Sequence, residues 1–178
     1  MKRYFIPALL ALFLSSCKKD IENLPEPTQT GANTFGAKIN GENWGPLKGG
    51  IVPTAPILEA RFGNGTSIFI NARNFSRSPR ESEMEIYVDN VTGPGTYSFN
   101  QNTAPFPNHT ASYAYYVKRN FTVEDEWITS TAATGQITIT RFDVDGRVVS
   151  GTFQFAANAR FGSAPINVSE GRFDVTIQ

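Results

Sequence analysis

From Gln136 to Phe155 the chain alternates apolar and polar residues on both sides of one turn. Gln136-Ile137-Thr138-Ile139-Thr140-Arg141-Phe142 reads as a strand, Asp143–Arg147 as a turn, and Val148–Phe155 as the returning strand, with Val149, Gly151, Phe153 and Phe155 on one face. A period of two sends successive side chains to opposite faces of a sheet, whereas a helix needs a period of 3.6. Asp145-Gly146 is a hairpin dipeptide. From Thr34 onward no segment sustains the helical period, and short alternating runs are separated by Gly, Asn and Pro. That pattern predicts an all-β fold, a mostly antiparallel β-sandwich or flattened barrel of about nine or ten strands.

The earlier strands follow the same rule. Phe35, Ala37 and Ile39 share a face before Asn40-Gly41, a pair suited to the positive φ of a type I′ turn. Trp44 on the return is expected to plug the core. Ile57–Phe62 and Thr66–Arg73 form a second hairpin. In Glu81–Asp89, Met84, Ile86 and Val88 point one way, and Glu81, Glu83, Glu85, Tyr87 and Asp89 the other. Such a ladder of acids is expected to face solvent on an outer strand. Tyr113–Lys118 reads as a strand, Trp127–Thr129 as another, and Glu124-Asp125-Glu126 between them as a solvated turn. Ile166–Gln178 closes the chain, with Phe173, Val175 and Ile177 opposite Arg172, Asp174 and Thr176.

The N-terminus carries an address. Lys2 and Arg3 precede an apolar run from Tyr4 to Leu14, then Ser15, Ser16 and the only cysteine, Cys17. The run is about half the ~20 residues a membrane span requires, and its layout is that of a secretory signal peptide. Leu14-Ser15-Ser16-Cys17 resembles a bacterial lipobox. Small residues admit a peptidase, and the thiol is the nucleophile that takes a diacylglyceryl group. A lone cysteine in an exported chain calls for an explanation, and lipidation supplies one. Residues 1–16 are therefore read as a removed signal peptide, 17–33 as a lipidated N-terminus and flexible tether, and 34–178 as a single β domain. As a random coil, residues 18–33 would span roughly 20–25 Å. Lys18-Lys19-Asp20-Ile21-Glu22 partly resembles a Bacteroidota surface-export signal and equally suits a solvated linker.

Loss of residues 1–16 leaves 162 of 178, with Lys2 and Arg3 gone, so 14 basic side chains face 16 acidic ones. A chain so near neutrality lacks the basic stripe of a nucleic-acid binder. Catalytic candidates are few. The single histidine, His109, lies in a loop and cannot build a multi-histidine zinc site. Glu124–Glu126 with Asp143 or Asp145 would offer oxygens to calcium, but the turn lacks the ligand spacing of an EF-hand. Arg73, Arg77 and Arg80 flank a loop able to hold an anionic group. No catalytic residue, cofactor or metal is assigned. A surplus of aromatics, Tyr87, Tyr113, Tyr115, Tyr116 and Trp127, suggests a ligand surface.

The lipobox, the Cys-Lys-Lys-Asp start, Ala37-Lys38-Ile39-Asn40-Gly41 with Trp44, Gly95-Thr96-Tyr97-Ser98-Phe99, Ser150–Phe155 and Glu170–Val175 together resemble a family of small uncharacterised Bacteroidota lipoproteins. The resemblance implies a β fold and an outer-membrane lipid anchor, palmitate included, on either face of that membrane. It carries over no catalytic or binding residue. The expected function is a non-catalytic binding or accessory module at the cell surface, with a glycan, peptide or protein as partner and no nucleic acid. The alternatives are a structural subunit of an envelope complex and, less favoured, a hydrolase that uses carboxylates.

Overall fold

Eleven segments with apolar residues at alternate positions become eleven strands in the computed structural model, which describes residues 21–49, 55–63 and 66–178. They are β1 (Thr34–Ile39), β2 (Glu42–Trp44), β3 (Leu58–Phe62), β4 (Ile68–Arg77), β5 (Arg80–Val88), β6 (Gly95–Phe99), β7 (Tyr113–Asn120), β8 (Thr122–Ile128), β9 (Gly135–Asp143), β10 (Val148–Ala159) and β11 (Ile166–Thr176). All the pairings between them are antiparallel. The all-β expectation holds, with a strand more than foreseen. Glu124-Asp125-Glu126, expected as a turn, lies inside β8, where Asp125 and Glu126 are buried.

The strands form one continuous sheet in the order β2-β1-β11-β10-β8-β7-β5-β4-β3, with β9 and then β6 attached at β10. The sheet folds into a flattened sandwich because β10 serves both layers. Val148–Ala157 pair with β11, and Val148–Phe155 pair with β9. Asn158 and Ala159 instead pair with Ile128 and Trp127 of β8. Register shifts at Ser150/Gly151 and Phe153/Phe155 give β10 the local bending that a corner needs.

The two layers close on a core drawn from every second position: Phe35, Ile70, Met84, Ile86, Phe99, Ile137, Phe153 and Val175 are among its members. Trp44 does plug it, 8 % exposed and edge-on to Tyr116 at 5.9 Å. Asn40 and Gly41 both take positive φ, as their turn requires. The β9–β10 turn departs from expectation. Its left-handed residue is Arg147 (φ 56°), while Gly146 donates its N–H to Asp143 Oδ1 at 2.8 Å.

Residues 21–33 carry no strand, yet they are not a free coil. They cross the outer face of the layer β1-β11-β10-β9. Pro25 packs over Gly36, Gln29 reaches Thr140 (3.1 Å), and the Arg141 guanidinium donates to the Gln29 carbonyl. The expected tether is thus a strap. A coil of polar and proline residues has little to bury, but its backbone N–H groups found a buried acceptor.

Candidate functional site

That acceptor is Asp174, 1 % exposed near the C-terminal end of β11. Its carboxylate accepts from the backbone N–H groups of Thr30 (2.9 Å), Gly31 (2.8 Å) and Ala32 (3.1 Å), and from the hydroxyls of Thr28 and Ser150 (both 2.6 Å). Burial alone would push the carboxyl upward; the hydroxyl and N–H donors outweigh it and hold the group well below the usual carboxylate range. Sequence reasoning missed this residue. Asp174 alternates with Phe173 and Val175 and so reads as solvent-facing. Only the strap, which arrives from more than 140 residues away in the chain, covers it.

The five aromatic residues expected to form a ligand surface do not share an exposed one, although Tyr116 lines a cleft between the layers. Tyr113 (0 %), Tyr115 (7 %), Tyr116 (3 %) and Trp127 (4 %) are buried, and Tyr87 is half-buried. Tyr116 and Trp127 face inward, 5.6 Å apart, within the main core. Tyr113, Tyr115 and Val117 form a second apolar cluster on the outer face of β7, joined by Tyr87 and Ile128. This outer face is built over because the loop between β6 and β7 folds across it. Phe106 packs on Phe69, with the Arg61 guanidinium 4.2 Å above the Phe69 ring, and His109 lies 4.0 Å from Tyr87. His109 Nδ1 is buried there without a partner.

The loop also reverses the expectation for the acid ladder. Glu85 is 8 % exposed rather than solvated. Tyr113 donates its hydroxyl to Glu85 Oε1, and the Phe106 N–H donates to the same oxygen at 3.3 Å. Burial raises the Glu85 pKa; those two bonds pull against it, and the neighbouring Glu83 charge adds to it. Glu83 is occupied by Arg119, Asn71 and, at 3.5 Å, Arg73. On β8, Tyr115 donates to Glu126 (2.5 Å), which also pairs with Arg160. Burial first, then donation to Glu126, raises the Tyr115 hydroxyl. Glu83, Glu85, Asp125 and Glu126 are thus bonded to protein groups, whereas Glu81 and Glu124 have arginines at 4.0 and 3.7 Å.

A cleft of about 860 Å³ opens between the layers at the end that carries the β1–β2, β4–β5 and β7–β8 turns. Trp44 and Tyr116 lie at its floor, with Trp44 Nε1 donating to Ser82 Oγ at 2.9 Å. Asn40, Asn43, Asn74 and Ser76 contribute amides and a hydroxyl. Arg77, Arg80, Lys118, Glu81 and Glu124 line it with charge, Arg80 and Glu124 being 3.7 Å apart. Two of the three arginines foreseen as an anion-holding loop therefore reach this cleft. The third, Arg73, instead turns to Glu59 and Glu83. The size is ordinary for a small-molecule site, but the lining is more polar than most.

Among the described residues, no group of three or more His, Cys, Asp or Glu is placed to hold a metal ion, and no helix is long and apolar enough to cross a membrane. The acids expected to offer oxygens to calcium do not converge: Asp143 ends β9 and Asp145 lies in the β9–β10 turn, while Glu124–Glu126 lie in β8, near the other end of the sandwich. Leu14–Cys17 and the Lys18–Asp20 start fall outside the described residues, so the lipidation site is not among the groups placed here.

No curated protein and no solved structure matches the chain. Residues 48–175 match the model of the domain of unknown function DUF6252, most of the sheet from β3 to β11, and the chain belongs to that family.

Proposed function

We propose that this chain is a bacterial outer-membrane lipoprotein, anchored through acyl chains on Cys17, whose β domain binds a polar ligand without converting it. The observation that carries the binding assignment is the cleft between the layers, with charged and amide groups around an aromatic floor. Amides and paired charges suit the hydroxyls of a glycan or the backbone of a peptide better than an apolar ligand. The non-catalytic reading is supported by what the reactive groups already do. Glu83, Glu85 and Glu126 are bonded to protein partners on the outer face, and His109 sits under the β6–β7 loop rather than in the cleft. The anchor is supported by the lipobox and by the lone cysteine.

Radiolabelled palmitate should enter the wild-type protein and not the Cys17→Ala variant; incorporation in both would overturn the anchor. Binding is tested on glycan and peptide arrays with the wild type and an Arg80→Ala/Lys118→Ala variant. Both side chains are exposed, so their loss leaves the fold intact. A ligand retained by the wild type and lost by the variant supports the assignment; a ligand bound equally by both would move the site elsewhere.

A further inference from the structure

Five large apolar side chains stand out as exposed among the described residues: Phe106, Phe121, Val123, Val144 and Phe161. Three of them, Phe121, Val123 and Phe161, gather at the cleft end. Phe121 caps the β7–β8 hairpin, Val123 follows it, and Phe161 is held beside β8 by its N–H bond to Asp125 (3.1 Å). Phe121 is 87 % exposed at φ 62°. A bulky side chain in the left-handed region is an outlier, and nothing it touches rewards it for being there. Folding gains nothing from this residue in either respect, which points to a contact outside the domain.

The strap supplies the direction of that contact. Ile21 lies against Gly45 and lines the same cleft, and the strap runs from there toward Thr176 at the far end before β1 returns. Three residues lie between Cys17 and Ile21, and the four steps along the chain reach at most about 14 Å. An acyl chain on Cys17 therefore tethers the domain by its cleft end. The twelve-residue β10 puts the β9–β10 turn, with Val144, at the opposite end, at most about 40 Å away.

We infer that the cleft end of the sandwich seats on the bilayer, with Phe121, Val123 and Phe161 entering the interfacial layer and the cleft opening onto the membrane surface. The inference rests on the Cys17 anchor and narrows the ligand field of the cleft to molecules at that surface. The contact is apolar rather than electrostatic. Arg80 is matched by Glu124, Arg160 by Glu126 and Arg119 by Glu83, so three of the cations at this end are already paired with acids, and Lys118 lies over the Trp127 ring. Two or three acyl chains supply the affinity, and the aromatic tip sets the orientation.

The experiment uses the lipidated protein in vesicles of phosphatidylethanolamine and phosphatidylglycerol doped with spin-labelled phosphatidylcholine. Thr122→Cys or Val144→Cys introduces a thiol for a nitrobenzoxadiazole label, since the sulfur of lipidated Cys17 is blocked. Lipid should quench the label at 122, beside Phe121, and not at 144, and the quenching should persist in about 1 M salt, where surface electrostatics are screened within ~3 Å. A Phe121→Ser/Phe161→Ser change should abolish quenching at 122 while the protein stays with the vesicles. The mass of the N-terminal peptide separates the two ways of failing. An unmodified Cys17 overturns the anchor and the seating with it. A lipidated Cys17 with equal, absent or reversed quenching at the two positions overturns the seating alone. So does quenching at 122 that survives loss of both phenylalanines or disappears in salt.

Discussion

Asp174 and Phe121 are residues whose roles run against their sequence neighbourhood. Asp174 gathers three N–H groups and two close hydroxyls from the strap and from β10. Asp174→Asn keeps the shape but turns an NH2 toward donors, and it should cost about 3 kcal/mol, since hydrogen bonds to a buried charge are among the stronger ones. Urea denaturation of the variant checks this; a midpoint within error of wild type would show that the strap is held elsewhere. Phe121→Gly should do the opposite and stabilise by about 1 kcal/mol, because glycine takes positive φ without strain and no buried contact is lost. Thermal melting of that variant tests whether the strain is real. A stable Phe121→Gly protein that no longer orients on vesicles would separate folding from seating at a single residue. Neither role is legible locally. The alternation in β11 assigns Asp174 to the outer face correctly, and only the return of a distant segment turns outer into buried.

At the scale of elements, the strap and β10 carry the departures from expectation. By composition, with Pro25, Pro27, Gly31 and polar side chains, the strap reads as a spacer. Composition does describe its lack of apolar burial, but not the backbone donors that Asp174 collects. Hydrogen exchange should therefore find the Thr30, Gly31 and Ala32 amides protected, against the immediate exchange of a free coil. β10 turns from one layer to the other and lies unusually close to β9 at Gly151. A Cβ there would sit 2.1 Å from the Thr138 carbonyl oxygen. Gly151→Ala must push the β9 backbone aside and should destabilise by about 3 kcal/mol, a magnitude typical of overpacking in a tight core. An unchanged melting temperature would mean that the sheet yields more easily than its pairing indicates. The acid-rich β8 shows the limit of patterning for strands. Three consecutive acids look like a turn, yet Asp125 is bonded by the N–H groups of Phe161 and Ser163, and Glu126 by Tyr115 and Arg160.

The whole molecule should respond to pH through two buried carboxyls of opposite sign. The folded state holds Asp174 below its ordinary value near 3.8. Its contribution is fully present above that value and is lost as the pH falls toward the lower folded-state value. Glu85 is raised above its ordinary value near 4.5. Its contribution is fully present below that value and is lost as the pH rises through the raised one. Wild-type stability should thus fall below pH 3.8 through Asp174, and as the pH rises above 4.5 through Glu85. Glu85→Gln keeps an acceptor for Tyr113 and the Phe106 N–H, carries no charge, and should remove the second decline, leaving the variant more stable than wild type at pH 8. Chemical denaturation at pH 4, 6 and 8 checks the sign; a variant less stable than wild type at pH 8 would place the Glu85 charge among the stabilising features.

The alternation of side chains, the Asn40-Gly41 turn and the run of apolar strands from β9 to β11 determine by themselves that the chain is all-β, because a period of two leaves a sheet as the only way to bury one face. Trp44 reads as a core plug, and alternation puts Phe153 and Phe173 on apolar strand faces; all three lie in the core. Which outer faces stay wet was decided by the tertiary structure. Tyr113 and Glu85 lie under the β6–β7 loop, Asp174 lies under the strap, and the cleft exists only where the two layers part at one end. Alternation is a property of neighbours along the chain, whereas cover comes from segments far away in it, and no local period records where those segments come to rest.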